Sequence, residues 1–131
     1  MTTLCLDFGN TRLKAAVFNQ NQLREEILLP DGRGDTIASL LDKWKPERSI
    51  LSSVINHDET VEQVLSIRTT FHKLSHLTKV NFTSPVGKPE TIGADRLALV
   101  AAAVHFFPGK NNLVIGLGSC ITYNFVNQYH Q

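Results

Sequence analysis

Between Leu4 and Phe18 the chain reads Leu-Cys-Leu-Asp-Phe-Gly-Asn-Thr-Arg-Leu-Lys-Ala-Ala-Val-Phe. An apolar run carries Asp7 to the end of a buried strand, Gly9-Asn10-Thr11 turns the chain, and an alternating run leaves the turn. In that second run Leu13, Ala15 and Val17 alternate with Lys14, Ala16 and Phe18, the period of a strand. A hairpin is therefore the starting unit of the fold. This arrangement differs from the Walker loop, whose glycines must open a helix. The turn meets three needs of an anionic phosphate. Gly9 has no side chain, so backbone amides can approach an anion closely. The amide of Asn10 and the hydroxyl of Thr11 are donors. Asp7 is a hard carboxylate of the kind that holds Mg²⁺ against phosphates. An ordinary hairpin explains the same residues on steric grounds, since Asn and Gly favour turns.

Three strands open the chain, over 3–8, 12–18 and 22–29, with Asn19-Gln20-Asn21 as the turn between the last two, so an antiparallel meander is expected. After the loop Pro30 to Gly34, Asp35 is the expected N-cap of a helix carrying Ile37, Leu40, Leu41 and Trp44, stopped at Lys45-Pro46. Trp44 is expected in the core. Residues 48–54 read as a buried strand, a second helical pattern runs through Val61, Val64 and Leu65, and 71–74 reads as a short strand. His72 and His76 have the spacing of two ligands on one helix face, but no third ligand accompanies them and the local pattern is not helical. His57, His105 and His130 support nothing specific.

Residues 78–89 are irregular, since Pro85, Gly87 and Pro89 exclude a central strand or helix. A small-residue helix follows through Leu97 to Val104 and ends at Pro108-Gly109. It is apolar nearly all round and is expected to be buried or at an interface. Two β-like runs, 113–117 and 121–126, flank Gly118-Ser119-Cys120 and repeat the strand, glycine turn, strand pattern of the first hairpin. Asp95 and Arg96 fall in the first turn of the small-residue helix. A carboxylate there stabilises the helix electrostatically. The same pair also suits a general base and an anchor for a substrate anion.

With 131 residues the chain is long enough for a core of its own. A net charge of +1 gives no long-range field, which argues against coating nucleic acid, and no basic stripe or helix-turn-helix pattern appears. Cys5 and Cys120 lie in apolar runs without a CxxC pair and are expected as buried thiols in a reducing compartment. No signal peptide and no run long enough to span a bilayer is apparent, which makes the cytoplasm the expected location.

Four segments occur in order: Asp-Phe-Gly-Asn-Thr at 7–11, Ser52-Ser53-Val54, Pro-Glu-Thr-Ile-Gly-Ala-Asp-Arg at 89–96, and Val-Ile-Gly-Leu-Gly-Ser-Cys-Ile-Thr at 114–122. Together they resemble the N-terminal half of the type III pantothenate kinases, a family also known as Bvg accessory factor (Baf) transcriptional activators. The resemblance spans nearly the whole chain. It implies an α/β, ribonuclease-H-like (actin-like ATPase, ASKHA) fold duplicated into two domains, with ATP in the cleft between them. Residues 1–110 would be the first domain, a mixed sheet with an antiparallel meander and flanking helices. Residues 111–131 would be the first hairpin of a second, truncated one.

The activity implied is ATP-dependent phosphorylation of the pantothenate hydroxyl, the first step of coenzyme A biosynthesis. Asp7, Gly9, Asn10, Thr11, Arg12 and Lys14 would form the first phosphate-binding hairpin, with Asp7 as the metal ligand. Ser119 matches a phosphate-contacting threonine of the second hairpin. Gly93, Ala94, Asp95 and Arg96 would contact pantothenate, with Asp95 taking the proton of its primary hydroxyl. Asp7 and Asp95 are thus expected to face a common cleft. The family works with Mg²⁺ and a monovalent cation (K⁺ or NH4⁺) and forms homodimers that complete the pantothenate pocket; neither membrane nor direct nucleic-acid binding is expected. Gly116 departs from the family at an aspartate that binds the monovalent cation, and Val86 at a pantothenate-binding tyrosine. The chain stops where family members continue, so these residues by themselves are expected to be inactive. The alternative is a non-catalytic Baf-type regulator that retains the kinase scaffold.

Overall fold

A computed structural model describes residues 1–131, which divide into two compact units, Met1–Lys73 and Leu74–Gln131. The first contains β1 (Thr2–Phe8), β2 (Leu13–Asn19), β3 (Gln22–Leu28), α1 (Gly34–Trp44), β4 (Arg48–Ser53), α2 (Glu59–Arg68) and β5 (Thr70–Lys73). Its sheet has the order β3-β2-β1-β4-β5. β1 pairs antiparallel with β2 and parallel with β4, which in turn pairs parallel with β5, so the sheet is mixed and β1 is central.

Alternation along β1 determines which face is covered. Leu4, Leu6 and Phe8 are buried together with Ala15 and Val17 of β2, Leu51 of β4, Ile37 and Leu41 of α1, and Val61 and Leu65 of α2. At i and i+4 on each helix, the last four residues form the stripe that an amphipathic helix lays on a sheet. The expected meander is present. The β2–β3 turn uses Gln20 and Asn21 at φ of 50° and 64°, the two positive angles that let a tight turn follow the twist of its strands.

One local expectation at α1 is corrected and one is met. Asp35 is not the cap of α1: the cap position is Arg33, without a side-chain bond, and Asp35 lies in the first turn. Asp31 instead organises this entry, its Oδ1 accepting from Arg33 N at 3.0 Å and Thr36 Oγ1 at 2.5 Å. At the other end Lys45 adopts a left-handed conformation and its amide closes on Leu41 O, so the helix ends at Trp44, at the expected Lys45-Pro46 stop.

The second unit holds a 3₁₀ turn (Pro89–Thr91), α3 (Ala94–Phe106), β6 (Asn112–Leu117) and β7 (Ile121–Val126), the two strands forming an antiparallel pair of their own. Val100, Val104 and Val126 form a small core with Phe82 packed on it. The compact units divide at 73/74, a division distinct from the 110/111 boundary that the family resemblance implies for a duplicated fold. The physical reason is that α3 packs against the final hairpin. α3 is also less buried than its composition suggests. Leu97, Val100 and Val104 are buried, but Ala98 and Ala102 are exposed. Cys120, expected inside a strand, lies exposed in the β6–β7 turn, while Cys5 is half-buried and burial raises its thiol pKa. No helix is long and apolar enough to cross a membrane.

Candidate functional site

Asp7 reaches the end of β1 because the strand register puts it opposite Lys14 of β2 and beside Ser52 of β4. Its side chain lies on the face opposite Leu6 and Phe8 and is exposed. Asn10, Thr11 and Arg12 form the exposed turn, and Lys14 is exposed at the start of β2. Gly9 closes the turn itself. Its amide donates to Arg12 O at 3.0 Å and so is committed within the turn, and a Cβ there would stand 3.3 Å from that same oxygen. The glycine makes the turn tight. The donors open to an anion are those of residues 10 to 12 and Lys14.

A group of side chains beneath this turn carries no signature in the sequence. His57, in the loop after β4, lies with Nδ1 3.0 Å from Ser53 Oγ and Nε2 2.6 Å from Glu62 Oε2 of α2. Lys73 of β5 donates to the same Glu62 oxygen at 3.2 Å. The ring also meets Phe8 edge-on, with centroids 6.0 Å apart. Ser53 is the register partner of Phe8, and Val54 N donates to Phe8 O at 3.0 Å. The chain of contacts therefore ties β4, the loop, α2 and β5 to the residue that precedes Gly9. Burial pushes the Glu62 carboxyl up, but hydrogen bonds from His57 and Lys73 outweigh it and hold its pKa below the ordinary value. Consecutive residues could not mark this group, since its members lie on four different elements.

In the second unit Gly93 occupies the cap position of α3 and Ala94 opens the helix. Gly93 O accepts from Arg96 N and Leu97 N. Asp95 Oδ1 accepts from Arg96 N at 2.9 Å, so the carboxylate is held at the helix N-terminus and stays half-exposed. Arg96 reaches across to β7, where Nε donates to Asn124 Oδ1 at 2.7 Å and Nη2 to Tyr123 O at 3.1 Å. A cavity of about 390 Å³ opens beside it, lined by Phe82, Val86, Thr91, Arg96 and Phe125 among others. That volume is within the range of small-molecule sites, and one cation in a lining of mixed polar and apolar groups suits a small anionic ligand. Val86 is thus at the cavity.

Ser119 is exposed at the tip of the β6–β7 turn. Gly116 lies in β6 opposite Thr122, and a Cβ there would come within 2.5 Å of Thr122 Oγ1 and 3.0 Å of Leu99 Cδ1. The position therefore offers no side-chain oxygen to a cation and has no room for a carboxylate without displacement. His72 lies on β5 and His76 beyond it, and no group of three or more His, Cys, Asp or Glu side chains is placed to hold a metal. Asp7 alone would have to act with ligands from a bound phosphate. That fits Mg²⁺, which commonly takes one or two carboxylates and completes its shell with phosphates and water.

The family model for type III pantothenate kinase matches residues 3–131. The chain is 42% identical over 123 residues to the type III pantothenate kinase of Christiangramia forsetii, covering 92% of this chain and 51% of that protein. It is 36% identical over 126 residues to the type III pantothenate kinase of Phocaeicola vulgatus, covering 95% of this chain and 52% of that protein. It thus spans about half the length of the curated relatives it matches. Among solved structures, a Ppx/GppA family member from Aquifex aeolicus superposes with a TM-score of 0.40 at 16% identity, over 98% of this chain and 48% of that one.

Proposed function

Because the chain belongs to the type III pantothenate kinase family, we propose that it is part of an ATP-dependent kinase that phosphorylates the primary hydroxyl of pantothenate. The observation that carries this reading is the pair of local sites: a glycine turn following Asp7, and the Gly93–Arg96 helix start beside a cavity with one cation.

In this reading the exposed donors of Asn10, Thr11, Arg12 and Lys14 bind the phosphates of ATP, and Asp7 holds Mg²⁺. When bound, the cation neutralises charge on the transferring phosphoryl group. Ser119 adds a hydroxyl to the phosphates from the second hairpin. Gly93 and Ala94 line the substrate, and Arg96 attracts the pantothenate carboxylate with the guanidinium hydrogens that β7 leaves uncommitted. Asp95 accepts the proton of the attacking hydroxyl. In a loose transition state the proton leaves late, so the main task of this carboxylate is to orient the attacking hydroxyl. Gly116 gives a monovalent cation no side-chain ligand, and no step is assigned to one.

The wider reading includes an actin-like ATPase fold, a second such domain beginning at residue 111, and a homodimer. The test is a coupled assay with ATP, Mg²⁺ and pantothenate on the protein that carries this sequence, with and without K⁺. Pantothenate-dependent ADP release supports the kinase. Nucleotide binding without turnover on the complete gene product would reject it.

A further inference from the structure

Ser52 has a hydrogen-bonding need that the folded chain leaves unmet. The residue is 8% exposed, and its Oγ is buried without a partner. Its neighbours along β4 are satisfied: Ser49 Oγ shares a 2.6 Å bond with Thr69 Oγ1, and Ser53 Oγ meets Ile55 O and His57. A buried hydroxyl without a partner is costly, and native proteins keep few of them.

Its place in the sheet gives that orphan a meaning. In the parallel register Ser52 is the direct neighbour of Asp7, and Asp7 is in turn opposite Lys14. Adjacent strands lie about 4.8 Å apart and register partners point to the same face. The three side chains therefore form one row across β4, β1 and β2, a hydroxyl, a carboxylate and an ammonium, immediately before the Gly9 turn. A donor beside an acceptor-only carboxylate, with a cation on the other side, complements an oxygen-rich anion that carries its own metal.

We propose that Ser52 is a positioning residue of the nucleotide site: its hydroxyl donates to a water or phosphate oxygen of a magnesium nucleotide held at Asp7. The proposal rests on the reading of the Asp7 turn as the nucleotide site. The unmet hydroxyl then weakens the ligand-free fold slightly and is satisfied on binding, a trade of stability for function.

The experiment compares Ser52→Ala and Ser52→Thr with the unaltered protein. It measures thermal denaturation without ligand and calorimetric affinity for a non-hydrolysable ATP analogue, with and without Mg²⁺. Removing an unpaired buried hydroxyl should leave the ligand-free melting temperature unchanged or higher. The same change should weaken binding of the magnesium nucleotide about tenfold, as loss of one hydrogen bond to a charged ligand would. Ser52→Thr, which keeps the hydroxyl, should bind like the unaltered protein. Equal affinity in Ser52→Ala would overturn the proposal, and so would a fall in its melting temperature that accompanies the loss of binding. If the unaltered protein binds no nucleotide, the reading of the Asp7 turn fails first and takes this one with it.

Discussion

His57 Nε2 lies 2.6 Å from Glu62 Oε2, with the ring's other nitrogen on Ser53 and its edge against Phe8. The imidazole is a buried cross-brace, its side chain 8% exposed. His57→Ala removes the ring from Phe8 and leaves two polar partners to find water. We expect a loss of about 2 kcal/mol, the usual cost of breaking a part-buried polar network. Urea denaturation measures it. His57→Gln, which can reach one of the two partners, should lose less.

Acid should release the same brace. The Glu62 carboxyl has a folded-state pKa below its unfolded value because His57 and Lys73 bond to the ionised form more strongly than burial opposes it. A depressed pKa contributes stability that is fully present above the unfolded value, about 4.3, and is lost as pH falls through the folded value. Melting temperature should therefore hold down to about pH 5 and then decline. Glu62→Gln should show a shallower decline below that pH, and the two curves running parallel would refute the linkage.

Gly116 tests whether the family's aspartate could simply be restored. A Cβ at this position meets Thr122 Oγ1 at 2.5 Å. Gly116→Asp should cost about 1–3 kcal/mol by overpacking. Adding Thr122→Ala should return much of it, because the colliding oxygen is gone. Thermal denaturation of the single and double variants decides; additive losses would show that Thr122 is not the obstacle.

The catalytic reading predicts a sharp contrast between two charged residues. Asp95→Asn should lower turnover by about 10²- to 10⁴-fold, the usual contribution of a general base, with little change in pantothenate KM. Lys79→Ala, an exposed residue in the irregular segment, should leave turnover unchanged. Arg96→Ala should raise pantothenate KM. It should also destabilise the second unit, since Arg96 bonds to Asn124 and Tyr123. Steady-state kinetics and a melting curve on the same preparations separate the two effects.

Most of the element plan was legible because it rests on local chemistry. The alternation of residues 4–8 and 13–17, the turn at Asn19–Asn21 and the stop at Lys45-Pro46 are short-range facts, and the strands and helices lie close to where they point. The expected cap at Asp35 failed because Asp31, four residues earlier, bonds both the Arg33 amide and Thr36. Cys120 was expected to be buried because apolar runs flank it, but its place in the turn between those runs leaves it exposed.

The sequence by itself determined the hairpin around Gly9, the helix that begins at the Gly93–Arg96 motif, and the family, since each is written in consecutive residues. Tertiary structure alone decided that Gly9 spends its amide inside the turn, that Arg96 is bonded to β7, and that His57 braces Phe8. It also decided that Ser52 stands unpartnered beside Asp7. The physical reason is strand register. Asp7 and Ser52 are neighbours only because β4 returns parallel to β1 in one particular alignment, and a shift of one residue would turn Ser52 to the other face.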